Sequence, residues 1–410
     1  MPADRRTFVI VGASLAGASA AATLRDEGFD GRLVLIGDET EAPYERPGLS
    51  KRYLRGETSA DELTIRSPAW FEEQRIERRF GRRVNSVRGP GHALELEDGE
   101  ALPYDVALIA TGGRNKPLDV PGSDLEGVFQ LRTIADADLI RAAAAGTDHA
   151  VVIGMGFIGA EVAASLRQMG LAVTVLEAFP GPLHRVLGLD IGAAVRSLHE
   201  EHGVHMRFND AVARFEGKGS LSRVVTTSGH AVQTRLAVVG VGTTPNAELM
   251  GGFGIAGNGG IAVGPTLETG YPDLFAAGDV ATHDHPLFGP IRVEHFDNAI
   301  KMAQSAARNM LGAGAVFNDP HWFWSDQYET EIQMAGFAPE WSRMVVRGSL
   351  PDRTFCAFQL DADGVVIGVV SMNWPRDVRR SFGLITKQAA PSPQTLEDPD
   401  VDIRELTSPN

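Results

Sequence analysis

Two repeated segments and one change of pattern predict the fold class of this 410-residue chain. Residues 6–38 and 151–177 each contain an apolar strand, a glycine-rich turn, a helix and a second strand that ends near an acidic residue. From Trp322 onwards, aromatic and alternating segments around a turn at Asp363 and Gly364 indicate an antiparallel sheet. Because strand, helix and strand in succession are typical of parallel sheets, the sequence predicts an α/β protein. It should have two Rossmann-like domains and a C-terminal α+β domain with an antiparallel sheet.

The turn of the first segment, GASLAG, follows a GxGxxG pattern with one departure. Gly12 permits a tight turn and Gly17 permits close packing of helix on strand, whereas Ser14 stands in place of the second glycine. A serine hydroxyl can itself donate to a phosphate. Either Asp38 or Glu39, after the second strand, could accept a hydrogen bond from a ribose hydroxyl.

The second segment, VVIGMGFIGAE and the residues after it, carries the complete pattern. Gly154, Gly156 and Gly159 have the GxGxxG spacing, and the helix that follows presents free N–H groups and a positive dipole end to a pyrophosphate. Glu177 ends the next strand, where a carboxylate would bind an adenosine ribose. The order of strand, turn, helix, strand and acid is much more specific than the three glycines alone.

Composition limits the class and compartment of the protein. Lys and Arg number 38 against 53 Asp and Glu, which gives a net charge of -15 and argues against general nucleic-acid binding. Cys356 is the only cysteine, which excludes internal disulfides and cysteine-rich metal sites and indicates a reducing, cytoplasmic location. No segment has the continuous apolarity of a membrane span. A twin-arginine signal at Arg5 and Arg6 is disfavoured, because its cleavage would remove the first glycine-rich turn.

The remaining elements follow in order. PYERPGLSK places Arg46 and Lys51 beyond the carboxyl end of the first sheet, although for either residue alone solvated surface charge is the default interpretation. The strand YDVALIATGG precedes the second segment, the strand LAVVGVGTTPN follows it, and FAAGDV leads a buried strand into Gly278 and Asp279. The polar, proline-containing end from Ala389 is expected to be loosely ordered.

These motifs, together with RVEHFDNA, FWSDQY and NWPRDVRR, resemble the two-dinucleotide-binding flavoprotein family nearly from end to end. Within it, the sequence is similar to the FAD-dependent NAD(P)H:ferredoxin and rubredoxin reductases of bacterial oxygenase systems. The resemblance implies an FAD-binding domain split between residues 1–112 and 245–315. An NAD-binding domain would be inserted at 113–244, and a C-terminal reductase or dimerisation-like domain would cover 316–410.

The resemblance implies that the first segment binds FAD. The expected contacts are Gly12, Ser14, Leu15, Ala16 and Gly17 at the pyrophosphate, Asp38 or Glu39 at the ribose, Arg46 and Lys51 near the phosphates and flavin, Val84 at the adenine, Ala110, Thr111, Gly112 and Arg132 closing over the cofactor, and Gly278, Asp279 and Phe296 at the ribitol and flavin ring. Phe296 stands where many relatives carry tryptophan. Asp279 could instead act as a helix N-cap in a compatible geometry.

By the same resemblance, the second segment binds the nicotinamide cofactor. The expected contacts are Gly154, Gly156, Phe157, Ile158, Gly159, Glu177, Arg185 and Gly242. Glu177 favours NADH, because a carboxylate accepts from the free 2′-hydroxyl and repels a 2′-phosphate. Arg185, a modest distance further along, is compatible with some use of NADPH.

Glu161, Glu294 and Trp324 are implied to surround the isoalloxazine and nicotinamide. Glu161 could alternatively be a first-turn acid that stabilises the dipole of its helix, and Trp324 a core aromatic of the last domain. No side chain need act as acid or base in hydride transfer from NADH to FAD, so the protein contributes orientation and electrostatics.

The route by which electrons leave is inferred from the cysteine content. Disulfide reductases of this superfamily use a cysteine pair, and related NADH oxidases or peroxidases use a cysteine beside the flavin early in the chain, where this sequence has Leu49 and Ser50. Cys356, in the last domain, is expected to be a buried small hydrophobe. Single electrons should therefore pass to a two-iron ferredoxin or a rubredoxin that supplies a dioxygenase or a haem monooxygenase. Rival hypotheses are an NADH oxidase and a redox-responsive interaction flavoprotein that resembles apoptosis-inducing factor.

A basic cluster near the C-terminus is the candidate docking site for that acceptor. Arg376, Arg379 and Arg380 could steer an acidic ferredoxin despite the overall negative charge. Ordinary surface arginines would give the same pattern.

Overall fold

The computed structural model describes residues 4–407, apart from the side chain of Pro90. The Cα atoms group into two compact units. Unit 1 contains the residues up to Glu45, Ala60–Arg114 and Thr243–His321, and unit 2 contains Arg46–Ser59, Asn115–Gly242 and the residues from Trp322 onwards. The division into a split FAD-binding domain, an inserted NAD-binding domain and a C-terminal domain stays a prediction.

The described residues form 26 strands and ten α-helices. The strands are β1 (Thr7–Val11), β2 (Arg32–Gly37), β3 (Ile76–Phe80), β4 (Val84–Arg88), β5 (Ala93–Leu96), β6 (Ala101–Pro103), β7 (Val106–Ile109), β8 (Gly113–Asn115), β9 (Val128–Gln130), β10 (His149–Ile153), β11 (Ala172–Leu176), β12 (Val204–Arg207), β13 (Val212–Lys218), β14 (Ser220–Thr226), β15 (Ala231–Gln233), β16 (Ala237–Val239), β17 (Thr243–Pro245), β18 (Ile261–Val263), β19 (Leu274–Ala276), β20 (Ala281–His285), β21 (Gly289–Ile291), β22 (Trp322–Gln327), β23 (Thr330–Gly336), β24 (Arg343–Ser349), β25 (Thr354–Leu360) and β26 (Val366–Met372). The α-helices are α1 (Leu15–Asp26), α2 (Ala60–Leu63), α3 (Pro68–Glu73), α4 (Ile134–Ala144), α5 (Phe157–Gln168), α6 (His184–Glu201), α7 (Phe296–Met310), α8 (Pro375–Arg380), α9 (Phe382–Thr386) and α10 (Pro393–Glu397).

Unit 1 is built on a parallel five-stranded sheet in the order β19-β7-β1-β2-β3. Its central strand β1 is almost wholly apolar and buried, as expected for a strand with both faces covered. Helices α1 and α7 pack against each other, and two three-stranded sheets, β4-β5-β6 and β18-β20-β21, complete the unit. The glycine-rich turn between β1 and α1 therefore lies at the carboxyl edge of a parallel sheet, where such folds bind ligands.

Unit 2 repeats this arrangement and adds an antiparallel sheet. Its parallel sheet has the order β12-β11-β10-β16-β9, accompanied by the antiparallel sheet β13-β14-β15. The last five strands form the antiparallel sheet β22-β23-β26-β25-β24. Two parallel sheets with helical crossovers and a C-terminal antiparallel sheet confirm the predicted fold class.

Helix α6 joins the two parts of unit 2. It is interrupted at Gly188, where φ is 72° and ψ is -177°. Ile191, Val195 and Leu198, which follow the interruption and are spaced to lie on one face of the helix, belong to the same buried cluster as Phe355 of the C-terminal sheet. The apolar stripe of α6 thus fixes this sheet against the parallel sheet of the same unit.

The segment after Ala389 is ordered, so the expectation of a loose end is wrong for residues 389–407. The guanidinium of Arg347, 1% exposed, donates to the carbonyl oxygens of Leu396 at 2.8 Å and Val401 at 3.1 Å, and Leu396 itself is fully buried. Ser392 caps α10 by accepting from the backbone N–H of Thr395. The order comes from a partner distant in sequence, which local composition does not reveal. Residues 408–410 lie outside the described residues.

Two buried histidines of unit 1 make the stability of the protein sensitive to acid. Burial lowers the pKa of His283 from 6.5 to about 4 and that of His321 to about 2. Both remain neutral in the folded chain, whereas the unfolded chain binds protons below pH 6.5. The free energy of unfolding should therefore fall as the pH falls from about 6.5 towards 4, by roughly 1 kcal/mol per histidine per pH unit.

Urea unfolding followed by circular dichroism near neutral pH and near pH 5.5 measures this effect. His283→Gln should reduce the difference between the two conditions, and the matched variant of the exposed His230 should leave it unchanged. An unchanged difference in His283→Gln would contradict the assignment.

Candidate functional site

The glycine-rich turn of unit 1 is tight enough to require glycine. Gly12 has a φ of 114°, and a Cβ there would overlap the carbonyl oxygen of Ala110. A Cβ on Gly17 would overlap the carbonyl oxygen of Gly12. Gly12 also donates to the carbonyl of Ile36 at the end of β2, at 2.7 Å. The backbone of the loop is thereby held between β1, β2 and the end of β7.

The loop leaves its helix N-terminus without a side-chain cap. Ser14 is the N-cap residue of α1, and in the described part of the chain its side chain makes no capping hydrogen bond. Leu15 and Ala16 form the first turn of the helix. The N–H groups of a first turn have no partner within their own helix, so this turn is suited to a phosphate.

The two candidate ribose acids have different surroundings. Asp38 lies exposed directly after β2. Glu39 is half-buried and accepts a hydrogen bond from the hydroxyl of Tyr44 at 2.5 Å. Both lie at the same sheet edge as the glycine-rich turn. Val84 begins β4 and packs against the core of the same unit.

Asn246, a residue that the sequence did not single out, holds the loop 110–112 that was predicted to close over FAD. Thr111 donates from its hydroxyl to the carbonyl of Asn246 at 2.7 Å, and the Asn246 amide donates back to the carbonyl of Thr111 at 3.0 Å. The backbone N–H of Asn246 also donates to Gly112, whose φ is 62°. Asn246 ends the GVGTTPN motif, which was the available signal.

A second strand end meets the glycine-rich turn at Gly278. Its φ is 77°, and a Cβ there would lie 3.2 Å from Cβ of Ala16. Asp279 follows in the first turn of a short 3-10 helix whose N-cap is Ala277, so Asp279 is not itself the N-cap residue. The fold thus brings 278 and 279, far away in sequence, to the predicted pyrophosphate loop.

Glu294 is held by two neighbours in unit 1. Arg292 donates to its carboxylate at 2.5 Å and to the carbonyl of Asp279 at 3.1 Å, and the hydroxyl of Thr243 donates to the same carboxylate oxygen. Phe296 begins α7 two residues later. Arg292 links Glu294 to Asp279 and was missed, although it stands in the RVEHFDNA motif.

The glycine-rich turn of unit 2 is tight on one side and open on the other. Gly154 has a φ of 94°, and Cβ atoms added to Gly154 and Gly159 would overlap the carbonyl oxygens of Gly240 and Gly154, respectively. By contrast, no described atom lies within 4 Å of a Cβ built on Gly156 or on Gly242. The turn therefore leaves open space beside Gly156 and Gly242. Phe157 and Ile158, the first residues of α5, follow directly, and Ile158 is exposed.

The carboxylate of Glu177 is fixed by the backbone. It is 7% exposed and accepts from the N–H of Met155 at 2.6 Å and from the N–H of Phe179 at 2.9 Å. The exposed Arg185 lies over the ring of Phe179, 5.0 Å from its centroid. An oriented acceptor and an aromatic–guanidinium pair therefore lie beside the same turn.

Glu161 is buried within unit 2, and three side chains donate to its carboxylate. Its carboxylate, 3% exposed, accepts from Lys51 at 2.9 Å, from the hydroxyl of Ser50 at 2.5 Å and from the hydroxyl of Ser325 at 2.7 Å. It is the fifth residue of α5 and not in its first turn, so the geometry does not favour the helix-dipole interpretation. Sequence reasoning missed Ser50 and Ser325, although they stand in the PYERPGLSK and FWSDQY motifs.

Two further predicted cofactor residues meet in unit 2. Arg46 donates to the carbonyl of Arg132 at 2.6 Å. This contact holds the segment 46–59 against the start of α4.

Strand β22 places Trp324 opposite the residues that contact the helices. Trp324 is half-buried and stacks on Trp322, with ring centroids 5.2 Å apart. On the alternate face, Phe323 contacts Phe157 of α5 at 4.5 Å and Ser325 contacts Glu161. The alternation of the strand thus separates an aromatic face from a helix-facing one.

The arginines of α8 do not share one environment. Arg376 has a side chain 60% exposed and lies 3.4 Å from Asp377, whereas Arg380 lies 3.7 Å from Asp402. Arg379 is exposed. Two of the three charges are therefore partly compensated by carboxylates.

The remaining chemistry of the described residues is limited. Cys356 is fully buried, as predicted, and burial raises the pKa of its thiol, so it stays protonated. Between residues 4 and 407, no cluster of three or more His, Cys, Asp or Glu residues could hold a metal ion, and no helix is long and apolar enough to cross a membrane.

Comparison with known proteins assigns the chain to a family. The family model described as pyridine nucleotide-disulphide oxidoreductase matches residues 6–308, and the one described as reductase C-terminal matches residues 322–407. The chain belongs to the pyridine nucleotide-disulphide oxidoreductase family. The enzyme is thus an oxidoreductase, and the predicted relationship to the ferredoxin reductases is confirmed by its relatives.

Curated relatives match this oxidoreductase along nearly its full length. Rhodocoxin reductase of Rhodococcus erythropolis is 37% identical, with 97% of this chain and 93% of the relative covered. The ferredoxin–NAD(+) reductase component of the anthranilate 1,2-dioxygenase system of Burkholderia cepacia is 36% identical, with 97% and 98% covered. The first name describes a reductase of rhodocoxin, and the second describes the reductase component of a dioxygenase system.

Solved structures agree with this oxidoreductase in fold as well. The ferredoxin reductase for the CYP199A2 system from Rhodopseudomonas palustris has a TM-score of 0.94 at 34% identity, covering 98% of this chain and all of the other. The covalent putidaredoxin reductase–putidaredoxin complex gives 0.93 at 34% identity, covering 98% of each chain. The first of these proteins is named as a ferredoxin reductase, and the second is a reductase in covalent complex with putidaredoxin.

Proposed function

We propose that this chain is an NADH-dependent ferredoxin reductase. It would take a hydride from NADH onto FAD and deliver single electrons to a two-iron ferredoxin, or to a rubredoxin, for a dioxygenase or haem monooxygenase. The observation that carries the proposal is the presence of two glycine-rich turns at sheet edges in a chain whose one cysteine is fully buried. A buried, protonated thiol is not available for disulfide exchange, so a disulfide substrate is disfavoured.

The residues of unit 1 fit FAD. The turn at Gly12 and Gly17 is closed against backbone carbonyls, and the uncapped first turn of α1 offers N–H groups to a pyrophosphate. Gly278 lies close to this turn, and the carboxylate of Asp279 would accept a hydrogen bond from a ribitol hydroxyl. Bound FAD supplies the ability to accept two electrons at once and to release them singly.

The residues of unit 2 fit NADH. The open space at Gly156 would admit the pyrophosphate, and Glu177 presents an oriented carboxylate for a ribose with a free 2′-hydroxyl. Since both backbone contacts of Glu177 fix the orientation of its carboxylate, a 2′-phosphate would meet hydrogen-bond acceptors that offer it no donor. We therefore assign the preference to NADH, with Arg185 at the adenosine end.

The partner would be an acidic iron–sulfur protein. The most exposed charges of the C-terminal cluster, Arg376 and Arg379, would steer its approach, since electrostatic complementarity mainly raises association rates. Electron transfer to this partner would take place in the cytoplasm, because a chain with a single cysteine and no possible internal disulfide is typical of a reducing compartment.

Anaerobic stopped-flow spectroscopy tests the proposal. The purified protein should be yellow, NADH should bleach it faster than NADPH, and a two-iron ferredoxin should restore the colour faster than oxygen does. A colourless protein that binds no FAD would contradict the cofactor assignment. Faster reoxidation by oxygen than by ferredoxin would instead identify an NADH oxidase.

A further inference from the structure

A continuous chain of buried hydrogen bonds leads away from Glu161 in unit 2. The hydroxyl of Ser325 donates to Glu161 at 2.7 Å, and the amide of Gln327 donates to the Ser325 hydroxyl at 3.3 Å. The Gln327 carbonyl lies 2.9 Å from Nε2 of His199, and Nδ1 of His199 lies 3.5 Å from the hydroxyl of Tyr328. Ser325, Gln327 and His199 all have a relative exposure of 0%.

The direction of every bond in this chain can be assigned from its chemistry. The amide oxygen of Gln327 can only accept, so Nε2 of His199 carries the proton and Nδ1 is an acceptor. Tyr328 then donates to His199, His199 to Gln327, Gln327 to Ser325, and Ser325 to Glu161. Every donor points towards the carboxylate, an arrangement in which successive hydrogen bonds polarise one another.

The protonation states agree with this direction. Burial lowers the pKa of His199 to about 4, so the ring is neutral near pH 7 and keeps one acceptor nitrogen. Burial also raises the pKa of Tyr328, which keeps its donor proton. All donors and acceptors of this hydrogen-bond chain are therefore in place near pH 7.

We propose that Ser325, Gln327 and His199 are positioning residues for the nicotinamide half-reaction, which they influence through Glu161 and Lys51. Their aligned donors fix one carboxylate oxygen of Glu161, and that same oxygen binds the Lys51 ammonium at 2.9 Å. Lys51 has a side chain 14% exposed and is the more accessible member of the pair. The inference rests on the proposed function, because it concerns reduction by NADH.

The location supports an effect on the nicotinamide half of the cofactor. Glu161 lies one helical turn beyond the α5 N-terminus that would hold the pyrophosphate. The same strand that supplies Ser325 and Gln327 carries Trp324 on its other face. Fixing β22 against α5 and α6 thus sets the carboxylate, the ammonium and the indole together, on rigid elements.

The test compares Ser325→Ala with a matched control in the same sheet. Ser371 is 1% exposed, and its hydroxyl has no hydrogen-bond partner among the described residues, so Ser371→Ala removes an equivalent group outside the chain. Anaerobic stopped-flow reduction at varied NADH concentrations separates the limiting rate from the apparent affinity. Reoxidation of the dithionite-reduced enzyme by ferricyanide reports on the flavin without the nicotinamide.

Ser325→Ala should lower the limiting rate of reduction by NADH about tenfold, the effect expected from one hydrogen bond to a charged group. Ser325→Thr, which keeps the hydroxyl, should restore most of the rate, and Ser371→Ala should match the wild type. Gln327→Met, which fills similar space without the donor, should show a smaller loss of the same kind. It provides the test if Ser325→Ala does not fold.

The inference is overturned by an unchanged limiting rate in both Ser325→Ala and Gln327→Met, by an equal loss in Ser371→Ala, or by a parallel loss in ferricyanide reoxidation. A loss that Ser325→Thr does not recover would likewise assign the effect to packing. Failure of the wild-type enzyme to be reduced by NADH at all would contradict the proposed function instead. The two failures are therefore distinguishable.

Discussion

Replacing Gly156 by alanine is expected to weaken NADH binding by about tenfold or more, the cost of forcing one additional methyl group into a fitted contact, while folding and flavin content stay unchanged. The added Cβ meets no described atom within 4 Å, and the backbone of Gly156 has φ -74°, which alanine adopts without strain. The methyl group would project into the space assigned to the pyrophosphate. The concentration dependence of anaerobic reduction by NADH measures the change.

Gly159→Ala is the matched comparison, three residues further along the same turn. Its Cβ would overlap the carbonyl oxygen of Gly154, so this variant should lose thermal stability as well as NADH binding. Circular dichroism melting curves and the ratio of flavin to protein separate the two cases. Unaltered NADH affinity in Gly156→Ala would show that the pyrophosphate does not pass this turn.

Arg347→Met is expected to destabilise the C-terminal sheet by about 3–5 kcal/mol, the usual cost of removing one partner from a buried ion pair. Arg347 lies 3.3 Å from Asp377, with both side chains 1% exposed. It also donates to the carbonyls of Thr395, Leu396 and Val401. The substitution leaves a buried carboxylate and three carbonyls short of a donor. Urea unfolding and limited proteolysis of residues 389–407 measure the loss.

Arg353→Met serves as the control for this prediction. Arg353 pairs with Glu201 at 2.7 Å on the surface, where the two side chains are 21% and 53% exposed, so its loss should cost less than about 1 kcal/mol. Adding Asp377→Leu to Arg347→Met should not restore stability, because the carbonyls of the last segment remain without their donor. Equal losses of stability in Arg347→Met and Arg353→Met would refute the anchoring role of Arg347.

The local patterns that were predictable are those in which a few consecutive residues dictate the backbone. Gly12 and Gly154 adopt positive φ in turns between strand and helix, as the glycine spacing indicated. Glu177 directly follows β11 beside its turn, because the strand, turn and helix lengths fix where the second strand finishes. The burial of Cys356 followed from the apolar strand in which it stands.

The contacts that were not predictable join residues far apart in sequence. The donors to Glu161 come from positions 50, 51 and 325, and the hydroxyl of Thr243 reaches Glu294 from 51 positions away. The expected looseness of the end from Ala389 failed for the same reason, since its order depends on Arg347. The composition of a segment indicates whether it would be ordered in isolation. It does not show which buried donor, distant in sequence, binds the segment in the folded protein.

The sequence by itself determined the two glycine-rich turns, the acid at the end of β11 and the lack of a cysteine pair, because short-range sterics and residue chemistry are encoded locally. Only the tertiary structure decided that Glu161 lies at the end of a buried donor chain and that the last segment is held in place. Both depend on the close packing of distant elements, in which a buried polar group must find its partner wherever the fold supplies one.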